Sequence, residues 1–323
     1  MKVLLWHVHG AWTTAFVHGG HDYVVPVLPG RGADGMGIAR TYAWPDRVTE
    51  LGPERLRDEP FDVVVLQRPH ELGLCEQWTG RRPGRDVPAV YVEHNAPQGR
   101  IAELRHPAAG RDDLLLVHVT HFNALFWDAG GTETRVVEHG IVDPGARYTG
   151  ELPRATVVVN EARRRGRVTG TDLLGRFAAA APLDLFGIDA GNAPAAVTGI
   201  ADLPQDALHT AMGRRRAYLH PIRWTSLGLS LLEAMHLGLP VVALGTTEVH
   251  EAVPAEAGVV STRLDVLTAA LRRLIADPAE ARERGRAARA AALDRYGLRR
   301  FLCDWDDVLA AVTPHDRVAE PAR

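Results

Sequence analysis

The sequence predicts an α/β protein made of two doubly wound, Rossmann-like domains. Three observations carry this reading. Short runs rich in Val, Leu and Ile recur along the 323 residues, and runs that are apolar at every position suit strands buried on both faces, hence parallel sheets. Helix-compatible segments separate these runs, which is the βαβ rhythm of doubly wound sheets. The rhythm breaks once, at "GIVDPGARYTGELPR" (residues 140–154), where Gly and Pro cluster without any period. A linker belongs there, and it leaves two domains of similar size.

In chain order, the strand-like runs of the first half are "KVLLWHV", "YVVPVL", "DVVVLQ", "AVYVE", "LLLVHV" and "TRVVEHG". Those of the second half are "ATVVVN", "LDLFG", "RAYLH", "PVVAL" and "GVVS". Residues 172–180 and 264–275 read as helices between strands, and the Ala- and Arg-rich stretch past Pro278 is helical throughout. "LRRFLCDWDDVLAAV" gives a last amphipathic helix. The expected domains are residues 1–145 and 146–295, followed by a helix over 296–312 and a mobile tail over 313–323. "GRGADGMG" places Gly30, Gly32 and Gly35 in a G-x-G-x-x-G pattern. It follows the second strand and runs into Pro45, whereas a dinucleotide fingerprint lies between the first strand and its helix. It reads as a loop, which argues against a dehydrogenase.

Composition excludes several functions. The net charge of −3 offers no basic field for nucleic acid. The two cysteines, Cys75 and Cys303, make neither a metal-ligand spacing nor a disulfide framework, and a cytoplasmic location is expected. The first strand is too short for a signal peptide. No apolar run approaches the roughly 20 residues that span a bilayer, although loose membrane association is left open. Lys2 is the only lysine, so anion binding elsewhere falls to arginine, histidine and backbone N–H groups, and Schiff-base chemistry is ruled out.

Open parallel sheets bind ligands beyond the carboxyl ends of their strands, so the residues following each strand are the candidates. After the first strand, Gly10 in "HVHGAW" permits close backbone approach, although alone it reads as an ordinary turn. His70 follows "DVVVLQ", and His94 ends "AVYVE" within the polar trio Glu93-His94-Asn95. A lone histidine is more often structural than catalytic. A polar trio closing a buried strand brings the two readings of His94 level. His121 repeats the pattern more weakly, and its neighbouring Phe and Trp read as core. After "ATVVVN", the run Arg163, Arg164, Arg165 and Arg167 stands before a helix that starts near Thr171, an arrangement that suits an anion. The run 214–216 precedes a strand instead and reads as solvated. Finally, "YLHPIRWTSLGLSLLEA" enters a helix with Thr225 or Ser226 as N-cap and Gly228 leaving the first turn open. Gly238 and Pro240 end that helix. Glu233 lies within it, and a carboxylate there either reaches water or has a designated partner.

Together these residues resemble the retaining GT-B glycosyltransferases of the glycogen-synthase-like, group 1 (family 4-like) type. The core of the likeness is G-L-S-L-L-E-A-M-x-x-G-x-P-V-V-A, within "HPIRWTSLGLSLLEAMHLGLPVVAL". Weaker likeness covers most of the chain: "VHGAW", "GGHDYVV", "VYVEHN" and "RVVEHGIVD". The resemblance implies a GT-B fold, with two Rossmann-like domains facing across a cleft and a C-terminal helix crossing back to the first. It implies that Ser226, Leu227, Gly228 and Leu229 bind the donor diphosphate. Glu233 would hold the ribose hydroxyls and His94 would lie beside the transferred sugar. Gly10, Arg164, Arg167 and Gly187 join the donor set by position. The acceptor would dock on the first domain near residues 10–12 and 67–71, with Trp12 and His70 on that side. Two departures stand out: Thr169 replaces the family's lysine, and Thr225 replaces the first glutamate of its Glu, seven residues, Glu motif. Arg167 or Arg165 would supply the missing cation.

The implied activity is transfer of a sugar, with retention, from a UDP- or GDP-sugar to an acceptor the sequence does not name, without cofactor or metal. The leaving phosphate would take the acceptor's proton on the same face of the sugar. Two rivals stand beside this: a GT-B hydrolase or phosphorylase of the donor, and a nucleotide-binding or scaffold protein without turnover. The two threonines favour the scaffold, and Glu233, His94 and the glycine loops count against it.

Overall fold

A computed structural model describes residues 1–200 and 203–313. The expected tail therefore lies, from residue 314, outside the described residues. The chain forms two compact units, one of residues 1–140 with the chain from Arg299 onward, the other Ile141–Leu298.

Unit 1 holds a parallel sheet of seven strands: β1 (Lys2–Leu5), β2 (Asp22–Pro26), β3 (Val48–Leu51), β4 (Val63–Leu66), β5 (Ala89–Glu93), β6 (Leu115–His118) and β7 (Glu133–Val136). Their order is β3-β2-β1-β4-β5-β6-β7, with Val3 opposite Tyr23 on one side and Val63 on the other. The strand order reverses at β1, and β1 and β4 are fully buried along Val3–Leu5 and Val63–Leu66. The helices are α1 (Gly10–Val17), α2 (Pro53–Leu56), α3 (Glu71–Thr79) and α4 (His121–Phe126).

Unit 2 holds six parallel strands: β8 (Leu152–Val158), β9 (Leu183–Phe186), β10 (Thr198–Ile200), β11 (Arg215–His220), β12 (Val241–Leu244) and β13 (Gly258–Ser261), in the order β10-β9-β8-β11-β12-β13. Its helices are α5 (Ala162–Arg165), α6 (Leu174–Ala178), α7 (Gln205–Arg214), α8 (Leu229–Leu237), α9 (Val249–Ala252), α10 (Leu264–Ala276) and α11 (Pro278–Arg295). α12 (Leu298–Val312) returns to unit 1 from Arg299 on. Its apolar face buries Phe301, Trp305, Val308 and Leu309, and Trp305 meets the rings of Trp12 at 5.6 Å and Phe16 at 5.0 Å.

The structure corrects four local expectations. β3 and β10 are strands that the sequence does not announce. α8 starts at Leu229 with Gly228 in the N-cap position and no side-chain cap, so neither Thr225 nor Ser226 caps it. The run 214–216 is solvated only at Arg214, which is exposed: Arg215 is largely buried and pairs at 2.8 Å with Asp184, which Arg154 also holds at 2.6 Å. The residues after β6 are not all core, since Leu125 is 80% exposed and Phe126 38%.

Candidate functional site

In unit 1 the candidates meet at the carboxyl ends of β1, β4 and β5. These strands are neighbours, so the residues just past their ends lie side by side. Gln67 follows β4, is 2% exposed, and donates through Nε2 to the Trp6 carbonyl at 2.7 Å. Its Oε1 lies 3.0 Å from His94 Nε2. The ring of His94 lies 4.1 Å from that of His9 and meets Trp12 edge-on at 4.9 Å. Burial holds the His94 imidazole well below its ordinary range, helped by the nearby His9 and His139. Burial, then Arg68 and His7, lower His9 to about 4. His139, also buried, falls to about 3. These rings are neutral at pH 7.

The turn that carries His94 is fixed on both sides. Glu93 Oε1 accepts from the Asn95 N–H at 2.6 Å, and Trp127 Nε1 donates to the Asn95 carbonyl at 2.8 Å. His106 Nδ1 accepts from the Ala108 N–H at 3.0 Å, so its proton is on Nε2 and is donated to Glu93 Oε2 at 2.9 Å. Buried polar groups this well satisfied hold one geometry.

Other unit 1 expectations fare differently. Trp12 is fully buried, so it has no surface for an acceptor, and its ring instead walls off His94. Gly10 opens α1, where a Cβ would stand 2.8 Å from the Tyr42 ring. His70 is exposed and pairs at 2.8 Å with Asp34, which Arg68 also holds at 3.0 Å. Of residues 67–71, Gln67 and Glu71 are buried. Glu71 accepts from the N–H groups of Gln67 (2.6 Å) and Arg68 (3.1 Å) and from Arg68 Nε (2.6 Å).

In unit 2 the candidates gather after β8, β9 and β11. Gly187 follows β9 at φ +130°, where a Cβ would stand 2.6 Å from the Val159 carbonyl oxygen, so this crossing needs glycine. Past β8, Arg164 turns to Glu161 at 2.8 and 2.5 Å and is mostly exposed. Arg167 is more exposed still, 3.5 Å from Asp172. Arg165 is half-buried. Thr169, where the lysine was expected, is fully buried and bonds within its own loop to the Gly166 carbonyl (3.3 Å) and the Thr171 hydroxyl (3.1 Å).

This arginine loop is joined to the residues leading into α8. The N–H groups of Arg223 and Trp224 donate to the Val168 carbonyl at 2.9 and 3.2 Å, and Arg223 Nη1 donates to the Arg167 carbonyl at 2.9 Å. Ser226 and Leu227 are buried, whereas Gly228 and Leu229 at the start of α8 are partly open. His220, at the end of β11, lies beneath Gly228, where a Cβ would meet its Cε1 at 2.7 Å. With no side-chain cap, and with the Leu231 N–H donating to the Gly228 carbonyl at 3.0 Å, the N–H groups of Leu229 and Ser230 are the ones available to an anion. Glu248 is 2% exposed, and its backbone N–H reaches the Ser226 carbonyl at 3.4 Å. A second carboxylate residue thus adjoins the loop that carries Thr225.

Glu233 is 7% exposed and has the designated partner its burial requires. Gln205 Nε2, on α7, donates to Glu233 Oε1 at 2.7 Å and lies 2.8 Å from His209 Nε2. His209 Nε2 is 3.7 Å from Glu233 Oε2. Neither Gln205 nor His209 is announced by the sequence, although their i, i+4 spacing puts them on one helix face. Among the described residues, no group of three or more His, Cys, Asp or Glu is placed to hold a metal ion. No helix among them is long and apolar enough to cross a membrane.

Residues 188–291 match the family Glycosyl transferases group 1. No curated protein matches the chain. Among solved structures, the sucrose-phosphate synthase of Thermosynechococcus elongatus is 14% identical with a TM-score of 0.72, over 95% of this chain and 98% of that one. HepE of Anabaena, solved with UDP, is 14% identical with a TM-score of 0.69, over 96% and 100%. A glycosyltransferase from Rickettsia africae is 11% identical with a TM-score of 0.69, over 97% and 98%. These likenesses show the fold: two parallel-sheet α/β units of the GT-B type.

Proposed function

We propose that this chain is a retaining glycosyltransferase that takes a sugar from a UDP- or GDP-sugar. Unit 2 would bind the nucleotide and unit 1 would supply His94 and the acceptor-binding residues. The group 1 match over residues 188–291 supports this. So do the structures of HepE with UDP and with UDP-glucose, which share the fold. The observation that carries the reading is Glu233. It is a nearly buried carboxylate on the helix whose uncapped start adjoins the arginine loop. Glu233 Oε1 is held by Gln205, and its remaining acceptor sites suit a pair of ribose hydroxyls.

In the reaction, the bond from the anomeric carbon to the diphosphate oxygen breaks. The α8 N–H groups and the arginines stabilise the departing charge as preorganised dipoles and cations. The acceptor oxygen bonds to the anomeric carbon on the same face, and its proton passes to the leaving phosphate. His94, neutral, would contact the sugar. Calorimetry with UDP, GDP and ADP tests the donor assignment. One nucleotide should bind selectively, and Glu233→Ala should weaken it about 10- to 100-fold, the worth of a charge-assisted hydrogen bond. Equal affinity in the variant would sink it. The buried Thr169 and the neutralised Arg164 favour a second reading, a nucleotide-binding protein without turnover. Product analysis of a bound UDP- or GDP-sugar, with and without candidate acceptors, separates that reading and the hydrolase from the transferase.

A further inference from the structure

We propose that Gln67 is a positioning residue that fixes His94 in its Nε2–H tautomer, leaving Nδ1 only the capacity to accept a hydrogen bond. The argument starts from Trp6. Its backbone carbonyl can only accept, so the group 2.7 Å away must be the amide nitrogen of Gln67. The orientation of the Gln67 amide is then settled, and its oxygen faces His94 Nε2 at 3.0 Å. An amide oxygen cannot donate, so His94 Nε2 carries the proton. Burial keeps the imidazole neutral, and the nearby His9 and His139 act in the same direction. A single relay along three neighbouring strand ends thus sets the proton inventory of the candidate catalytic residue. Gln67 and His94 are each almost fully buried, so water does not compete for these bonds.

The consequence for chemistry rests on the function proposed above. His94 meets a hydroxyl of the sugar or acceptor as a hydrogen-bond acceptor, and it cannot serve as an acid from Nδ1 without first being protonated. The tautomer itself does not depend on that reading.

Long-range ¹H–¹⁵N spectra of the ¹⁵N-labelled full chain test the proposal, with His94→Asn identifying the His94 signals. At pH 7 the wild type should show a pyrrole-like Nε2 and a pyridine-like Nδ1. In Gln67→Met the two ¹⁵N shifts should move toward each other as tautomers mix. In Gln67→Glu, both nitrogens should become protonated at a higher pH than in the wild type. His106 serves as an internal control, because Ala108 and Glu93 fix its own Nε2–H form. If Gln67→Met fails to fold, the wild-type spectrum and Gln67→Glu decide. An Nδ1–H or mixed His94 in the wild type would overturn the proposal, as would variants indistinguishable from it. The expected spectra in a chain that binds no nucleotide would keep the tautomer and discard the glycosyltransferase.

Discussion

Arg165 and Arg167 sit two residues apart, yet their surroundings assign them different work. Arg167 is 79% exposed at its side chain, with a long 3.5 Å contact to Asp172, and exposed pairs of this kind contribute about 0–1 kcal/mol. Arg165 is half-buried, and among the described residues no ion pair involves it. A guanidinium does not shed its charge to relieve burial, so a partly desolvated one is poised for an anion from outside the protein. The proposed diphosphate is such an anion. Arg165→Ala is therefore expected to weaken nucleoside-diphosphate binding about tenfold or more, and Arg167→Ala by less than about threefold. Calorimetry with the nucleotide that binds best ranks the two, and the reverse order would return the role to Arg167. Residue identity alone left these arginines equivalent, because exposure is set by how residues 161–171 close on themselves and on residues 221–224. Glu233 was legible as a carboxylate that needed either water or a designated partner. Its partner Gln205 was not, since the contact joins positions 28 residues apart.

Elements were more legible than contacts between elements. Strands buried on both faces announce themselves by composition, but β3 and β10 are edge strands. β10 has no buried position and β3 only two, at its ends, so neither shows a continuous apolar run. The run 214–216 looked like a charged surface because its partner, Asp184, lies on a strand two places along the sheet. The packing of α11 on α8 is equally hidden, and it makes a test. Gly285 lies inside the 18-residue α11, where glycine costs about 1 kcal/mol relative to alanine. Propensity alone would make Gly285→Ala stabilising. However, a Cβ there would stand 2.0 Å from the carbonyl oxygen of Gly238, the left-handed residue that ends α8 at φ +91°. That neighbour is backbone, fixed by its own capping bonds, so the overlap can be relieved only by moving a helix. Overpacking of this sort costs about 1–3 kcal/mol and outweighs the propensity gain. Gly285→Ala should lower the Tm by a few degrees, read by calorimetry. A rise would show that α11 slides freely on α8.

The two units differ most in their buried histidines, and this should make unit 1 the more acid-sensitive. Burial lowers His9 and His118 to about 4, lowers His139 to about 3, and lowers His94 and His7 as well. All five belong to unit 1. Unit 2 has His220, lowered to about 4, and His236, lowered less. Above the ordinary value of 6.5 these rings are neutral in both folded and unfolded chains, and their pairing with the fold is intact. Below it the unfolded chain takes up protons that the folded chain refuses. Each histidine then removes about 1.4 kcal/mol of stability per pH unit until its own folded value is reached. The window runs from pH 6.5 to about 4, and unit 1 loses stability through it faster than unit 2. Paired carboxylates such as Glu50 in unit 1 and Asp143 in unit 2 are lowered too, but they act only as the pH falls through their ordinary values of 4.5 and 3.8, at the acid end of that window and below it. The sequence supplies the reporter. Six of the seven tryptophans, all but Trp224, lie in unit 1, while α10 and α11, of 13 and 18 residues, lie in unit 2 against the 15-residue α12 of unit 1, so the helical signal is weighted toward unit 2. On acid titration of the intact chain, tryptophan fluorescence should change at a higher pH than the helical circular dichroism signal. Coincident transitions would mean that the units unfold together, and helix loss at the higher pH would refute the assignment of acid sensitivity to the histidine cluster around His94.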